Sequence, residues 1–270
     1  MILSAGQKKH MNGIKYALVT GAAAGMGREY VKRLAEMGYG IVAADINMQG
    51  LEKLKSEITA ADIVTVAEDL AAPGGAEHLI NEISRLGLDI SILINNAGIF
   101  SYRDITDQPE GYIAKITTLH NITMGTLCRH YAGEMKSKGG GYILNISSLS
   151  AWMAYPGIAL YAATKRYTRD FSRALSVELR GSGVSVTVAY FGAVATPLIG
   201  LSEKYMRIAK ALHIMITPEK AAEKALKAMF KRKSGVMPGT INHIGKPFLA
   251  VLPKWALAII DNKLSRFKSR

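Results

Sequence analysis

Tyr161 and Lys165 bracket the run Tyr-Ala-Ala-Thr-Lys, four positions apart. On a helix this spacing places both side chains on one face, about a turn from each other. A neighbouring ammonium favours a phenolate and lowers the tyrosine pKa. A free phenol titrates near ~10, so a depressed value would fit Tyr161 for proton transfer at neutral pH. The pair alone equally describes an amphipathic helix with a solvated lysine. Other reactive residues must converge on it before it counts as chemistry.

A second group could hold phosphate. Thr20-Gly21-Ala22-Ala23-Ala24-Gly25-Met26-Gly27 follows an aliphatic run and precedes a helical pattern. Such a turn lets backbone approach a pyrophosphate, which the N–H groups and partial charge of a helix N-terminus favour. Its spacing is T-G-x-x-x-G-x-G, not the commoner G-x-G-x-x-G, and a plain tight turn would look similar. Asp45 lies about 20 residues on, where a carboxylate can accept from ribose hydroxyls and repels a 2′-phosphate. Ala24, Ala44 and Ile46 offer no cation to offset that repulsion, so NAD is expected in preference to NADP. Asp69 and Leu70 are placed to meet an adenine, although Asp69 could equally cap a turn. Asn95, Asn96, Ala97 and Gly98 are small and amide residues suited to close packing against a cofactor.

The elements that must position these residues alternate. Strands are expected at 16–20, 41–45, 63–67, 92–95, 142–147 and 184–190. Helices are expected near 26–37, 48–59, 75–86, 109–137 and 160–180. Strand–helix alternation implies an α/β fold, a doubly wound Rossmann-type parallel sheet with helices on both faces. Sites in such sheets form at the carboxyl ends of the strands. With no repeat or linker, residues 1–270 read as one dinucleotide-binding catalytic domain. Its core spans about 14–240, a substrate lid about 197–216, and a C-terminal extension about 246–270.

Composition narrows the class further. Hydrophobic residues make up 49 % of the 270, an ordinary globular content. The single cysteine, Cys128, excludes an internal disulfide, and the six scattered histidines form no metal-ligand set. No metal is expected, and a reducing, cytoplasmic setting is. Neither a secretory signal nor a spanning helix is expected, since residues 248–260 are short and interrupted by Pro253 and Lys254. The net charge of +13 would suit phosphates, acidic substrates, anionic lipid or nucleic acid. It is concentrated at 219–233 and after 241, where a solvated helix face and a loose tail explain it equally. No nucleic-acid motif is present, and no nucleic-acid partner is expected.

Together these residues resemble the short-chain dehydrogenase/reductase family from about Tyr16 to Thr196. The glycine turn matches at 20–27, N-N-A-G at 95–98 and Y-x-x-x-K at 161–165. Within that family the chain is similar to hydroxysteroid dehydrogenases and long-chain ketoacyl reductases. The resemblance implies catalytic roles for Asn121, Ser148, Tyr161 and Lys165. Ser148 lies 13 positions before Tyr161; Ser147, pointing the other way on a strand, would support the loop. Tyr161 would be general base for oxidation and general acid for reduction, and Lys165 would lower its pKa and bind the nicotinamide ribose. Ser148 would hydrogen-bond the substrate oxygen, and Asn121 would hold a water relaying protons from Lys165. Gly192, Val194 and Thr196 would contact the nicotinamide amide. Phe191 stands where the family has proline, and would wall the site.

Substrate contacts are expected from Ser148, Ser150, Tyr155 and Tyr161. The implied reaction interconverts a secondary alcohol and a ketone on a bulky hydrophobic molecule, a steroid or bile acid. A fatty 3-ketoacyl substrate and a non-catalytic NAD-binding regulator are the alternatives. A homodimer or homotetramer through the helices near 109–137 and 160–180 is implied. The C-terminal extension would pack on the protein or a neighbouring subunit, with peripheral contact to an anionic membrane as the alternative.

Overall fold

The computed structural model describes residues 13–153, 155–194, 215–238 and 253–264. Seven parallel strands form one sheet in the order β3-β2-β1-β4-β5-β6-β7. They are β1 (Tyr16–Thr20), β2 (Gly40–Asp45), β3 (Ile63–Ala67), β4 (Ile90–Asn95), β5 (Gly141–Ser148), β6 (Val184–Phe191) and the short β7 (Gly235–Val236). Every residue of β1, β4 and β6 is buried. That is why these strands read as near-continuous aliphatic runs: helices cover both faces of a parallel sheet.

Along β1 the two faces separate by alternation. Ala17 and Val19 join a core with α1 (Gly25–Glu36), α2 (Met48–Glu57) and α7 (Pro218–Phe230) through Leu34, Leu51 and Leu226. Tyr16 and Leu18 join the opposite core, with α3 (Gly75–Leu86), α5 (Met124–Ser137) and α6 (Ala159–Glu178) supplying Leu79, Leu127 and, partly buried, Phe171. Each fully buried leucine contributes roughly 1.5–3 kcal/mol by leaving water.

Helix α7 begins at Thr217, whose hydroxyl accepts from Lys220 N, with Pro218 in its first turn. Its alanines, Leu226 and Met229 are buried while Lys220, Lys224 and Lys227 are exposed. The basic run there is thus a solvated face. Beyond it, α8 (Lys254–Leu264) leaves Trp255 69 % and Ile259 51 % exposed. Among the described residues no helix is long and apolar enough to cross a membrane.

The helix expected at 109–137 is interrupted. It starts as α4 (Tyr112–Thr117), passes through a π-helical turn at Thr118–Thr123, and resumes as α5. Single π turns cluster at functional sites, and this one carries Asn121. The sheet order reverses between β1 and β4, so the segments after these strands diverge into a crevice. Both the glycine turn and N-N-A-G lie there.

Candidate active site

The glycine turn leaves β1 with Gly21 and Gly25 at φ +65 and +54, conformations that side-chain-bearing residues rarely adopt. A Cβ on Gly27 would collide with Gly21 O. Ala24 caps α1 without a side-chain hydrogen bond, and no acid occupies the first turn. The N-terminal N–H groups are thereby left for an anion. Met26 beside them is half-buried. The cradle fits a dinucleotide pyrophosphate.

N-N-A-G braces that turn from β4. Asn96 Nδ2 donates to Thr20 O at 2.9 Å and Gly21 O at 3.1 Å, while Thr20 Oγ1 accepts from Asn96 N and Ala97 N. Asn95 was expected at the cofactor, but its amide points into the protein. It donates to Asn145 Oδ1 at 2.8 Å and to Cys128 Sγ. Burial pushes that thiol up to about 12, so Cys128 is an inert core residue.

Asp45 ends β2 with its carboxylate accepting from Ala23 N at 3.0 Å and Asn47 N at 2.9 Å. It therefore ties the glycine turn to the next loop and keeps lone pairs for ribose hydroxyls. The nearby Arg28 is ion-paired with Glu57. Asp69 Oδ1 accepts from Ala71 N, the turn-capping role, and Leu70 O accepts from Thr123 Oγ1 at 2.6 Å. Leu70 and Asp69 thus lie beside the π turn.

At the carboxyl end of β5, Ser147 donates to Lys165 O at 2.8 Å, its supporting role. Ser148 faces the other way. Its oxygen accepts from Ser150 N at 3.1 Å, and its hydroxyl hydrogen-bonds Tyr161. The Lys165 ammonium lies 5.6 Å from the Tyr161 ring centroid and donates to Ile146 O at 3.0 Å. An ammonium has three donors, so one bond to Ile146 leaves capacity for ribose hydroxyls. Ser148, Tyr161 and Lys165 therefore lie together.

The electrostatics depart from expectation. Burial pushes the Tyr161 phenol up to about 12; the Ser148 hydrogen bond opposes this and the Tyr112 phenol adds to it. Lys165 does not dominate its neighbour. Burial instead brings the ammonium itself down to about 8. The reason is desolvation, which disfavours whichever form is charged. On the π turn, Asn121 Oδ1 is buried with no protein partner.

His120, one residue earlier, is the participant that the sequence did not reveal. It is 3 % exposed and packs edge-on to Tyr161, ring centroids 5.9 Å apart. Ile99 N donates to its Nε2 at 3.1 Å, and Nδ1 lies 2.9 Å from Thr164 Oγ1, which donates to Tyr161 O. Since a backbone N–H can only donate, Nε2 is the acceptor and Nδ1 carries the proton. Burial, and secondarily the charge of Lys165, holds His120 well below the ordinary imidazole range. Gly98 fits because a Cβ there would sit 3.0 Å from Nε2. No motif flags such a residue; a polar aromatic on the buried side of a helix was the one available signal.

Among expected substrate residues, Ser150 is buried with its Oγ unpartnered, and Tyr155 stacks on Tyr102 at 6.4 Å. Phe191 is not a wall of the site. It is 3 % exposed and packs in the core with Ala22, Ile94 and the alanines of α7. Gly192 follows it, and Val194 bridges to Ile216. Thr196 and residues 197–214 of the expected lid lie outside the described residues.

The short chain dehydrogenase family profile matches residues 15–205, and the chain belongs to that family. It is an NAD(P)-dependent oxidoreductase acting on CH–OH groups. It is 29 % identical over 255 residues to 17-beta-hydroxysteroid dehydrogenase type 3 of Danio rerio, covering 90 % of this chain and 78 % of that protein. It is 29 % identical over 262 residues to the very-long-chain 3-oxoacyl-CoA reductase of Homo sapiens, covering 92 % and 79 %. A solved short-chain dehydrogenase from Sphingobium yanoikuyae in complex with NADPH shares the fold, with TM-score 0.76, 23 % identity and coverage of 89 % and 97 %.

Proposed function

We propose that the protein interconverts a secondary alcohol and its ketone on a bulky hydrophobic molecule of steroid or bile-acid type, using NAD(H). The observation that carries this reading is the convergence of Ser148, at the end of β5, with the partly buried Tyr161 and the buried Lys165 of α6. The dinucleotide supplies the hydride chemistry when bound. Gly21, Gly25, Met26 and Gly27 hold its pyrophosphate, and Asp45 its adenosine ribose. Asp69, Leu70 and the backbone of 96–98 line the adenine side, and Lys165 takes the nicotinamide ribose. Gly192, Val194 and Thr196 meet the nicotinamide.

Tyr161 gives its proton to the substrate oxygen in reduction and removes it in oxidation. A phenol held up to about 12 by burial carries its proton at neutral pH, ready to act as the acid in reduction. Ser148 donates to the same oxygen and stabilises charge developing there. Asn121 Oδ1, buried and unpartnered, holds the water that resupplies protons through Lys165. Ser150 and Tyr155 border the substrate. NAD rather than NADP is supported by the Asp45 carboxylate and by the engagement of Arg28 with Glu57.

A 3-ketoacyl thioester is the second reading, supported by the match to the 3-oxoacyl-CoA reductase over 92 % of the chain. Exposed Ile113, Ile122, Tyr167 and Val177 on α4–α6 support association into a dimer or tetramer. Exposed Trp255 and Ile259 on a basic extension favour peripheral contact with anionic membrane. The deciding experiment is a panel of steroids, bile acids and acyl thioesters followed by NADH absorbance, in parallel with NADPH. Turnover confined to sugars or small polyols overturns the substrate class.

A further inference from the structure

Beside Tyr161 a cavity opens between the loop after β4 and the start of α6, lined by Arg103, Gln108, Tyr112, Ile158, Leu160 and Tyr161 among others. Its two walls are joined by Arg103 N donating to Gly157 O at 2.9 Å. Gln108 is fixed by its Nε2 donating to Arg103 O at 3.1 Å. A carbonyl can only accept, so the amide nitrogen must face it and Oε1 must face away. That Oε1 and the Tyr112 hydroxyl are both buried without a partner. Buried polar atoms left unpaired are costly, and a ligand that pairs them gains what the free protein lacks.

We infer that this cavity is a subsite for a second hydroxyl on the substrate, remote from the carbon that reacts at Tyr161. The inference rests on the proposed alcohol–ketone reaction. A hydroxyl is both donor and acceptor: it donates to Gln108 Oε1 and accepts from Tyr112 OH. A carboxylate would face the lone pairs of Oε1, and an acyl chain would leave both atoms unpaired. The flanking Ile158 and Leu160 suit the apolar body that carries the hydroxyl. The substrate is thus an apolar hydroxy-ketone, or the corresponding diol, in preference to a fatty acyl thioester.

The test uses the full-length protein, its Tyr112→Phe variant, and a matched pair of saturated steroid 17-ketones with and without a 3-hydroxyl. Because the Tyr112 oxygen is unpaired in the free protein, Tyr112→Phe should keep the melting temperature. Turnover with NADH and calorimetric binding are both measured. The expected result is about a tenfold preference for the hydroxylated ketone, as one or more hydrogen bonds would give, reduced severalfold in Tyr112→Phe. Gln108→Met, which keeps the bulk and removes the acceptor, should reduce it as well. An equal preference in wild type and both variants, as an ordered water in the cavity would produce, overturns the subsite. So does an absence of binding by either ketone. Binding with the hydroxyl preference but no turnover would sustain the subsite while overturning the proposed reaction.

Discussion

Nδ1 of His120 lies 2.9 Å from Thr164 Oγ1, three residues after Tyr161 on the same helix. With Ile99 N on the other ring nitrogen, the imidazole ties the end of β4 to the helix that carries the general acid. The link works in the neutral ring alone, because a protonated Nε2 could not accept from Ile99.

His120→Leu should therefore leave the Ile99 N–H without its acceptor, at roughly 1–3 kcal/mol, while the Thr164 hydroxyl keeps its bond to Tyr161 O. Urea denaturation measures that loss. Turnover should fall about tenfold to a hundredfold, since a displacement of about 1 Å at a catalytic group costs that much. The KM for NADH should change little. His120→Asn, which can still donate to Thr164, should recover part of the rate; full activity in His120→Leu would refute the positioning role.

Tyr161→Phe removes the proton that is transferred but leaves Lys165 and the glycine turn in place. Turnover should drop at least a thousandfold while calorimetry shows NADH binding retained. Activity near that of the wild type would end the assignment of Tyr161.

Lys165 supplies a pH signature. Its folded pKa is about 8 against an ordinary value of 10.5, lowered by burial, so the unfolded chain binds more protons between those values. Stability contributed at this site therefore rises with pH from about 8 upward, by on the order of 3 kcal/mol when complete. Tyr16 and Tyr30, whose phenols are raised by burial, act oppositely above about 10. Urea midpoints at pH 7 and 9.5, compared between wild type and Lys165→Met, isolate the lysine. Equal pH slopes in the two proteins would contradict its burial as a cation.

Cofactor choice should turn on Asp45 and its exposed neighbour Ile46. Asp45→Ser with Ile46→Arg removes the repulsion and adds a partner for a 2′-phosphate. The ratio of kcat/KM for NADPH over NADH should rise at least tenfold. The variant should also lose some stability, because Asp45 accepts from Ala23 N and Asn47 N. An unchanged ratio would place selectivity elsewhere.

Strand periodicity located β1 and β3 to the residue, because both are short runs dominated by aliphatic and β-branched residues, β1 fully and β3 partly buried. The helix at 112–137 was legible, but not its π turn, since one extra residue per turn leaves hardly any trace in side-chain spacing. Phe191 was misread because a strand end may face cleft or core, and α7 packs over it.

Residue order alone determined which groups can react and that they lie on one doubly wound sheet: Tyr161 and Lys165 a helical turn apart, Ser148 at a strand end, Gly27 in a glycine-rich turn before a helix. What those groups are when charged was decided by tertiary structure. Burial raises Tyr161, lowers Lys165 and keeps His120 neutral, because desolvation depends on everything packed around a site. The inward turn of Asn95 and the unpaired oxygens of Gln108 and Tyr112 were settled in the same way, by neighbours far away in the chain.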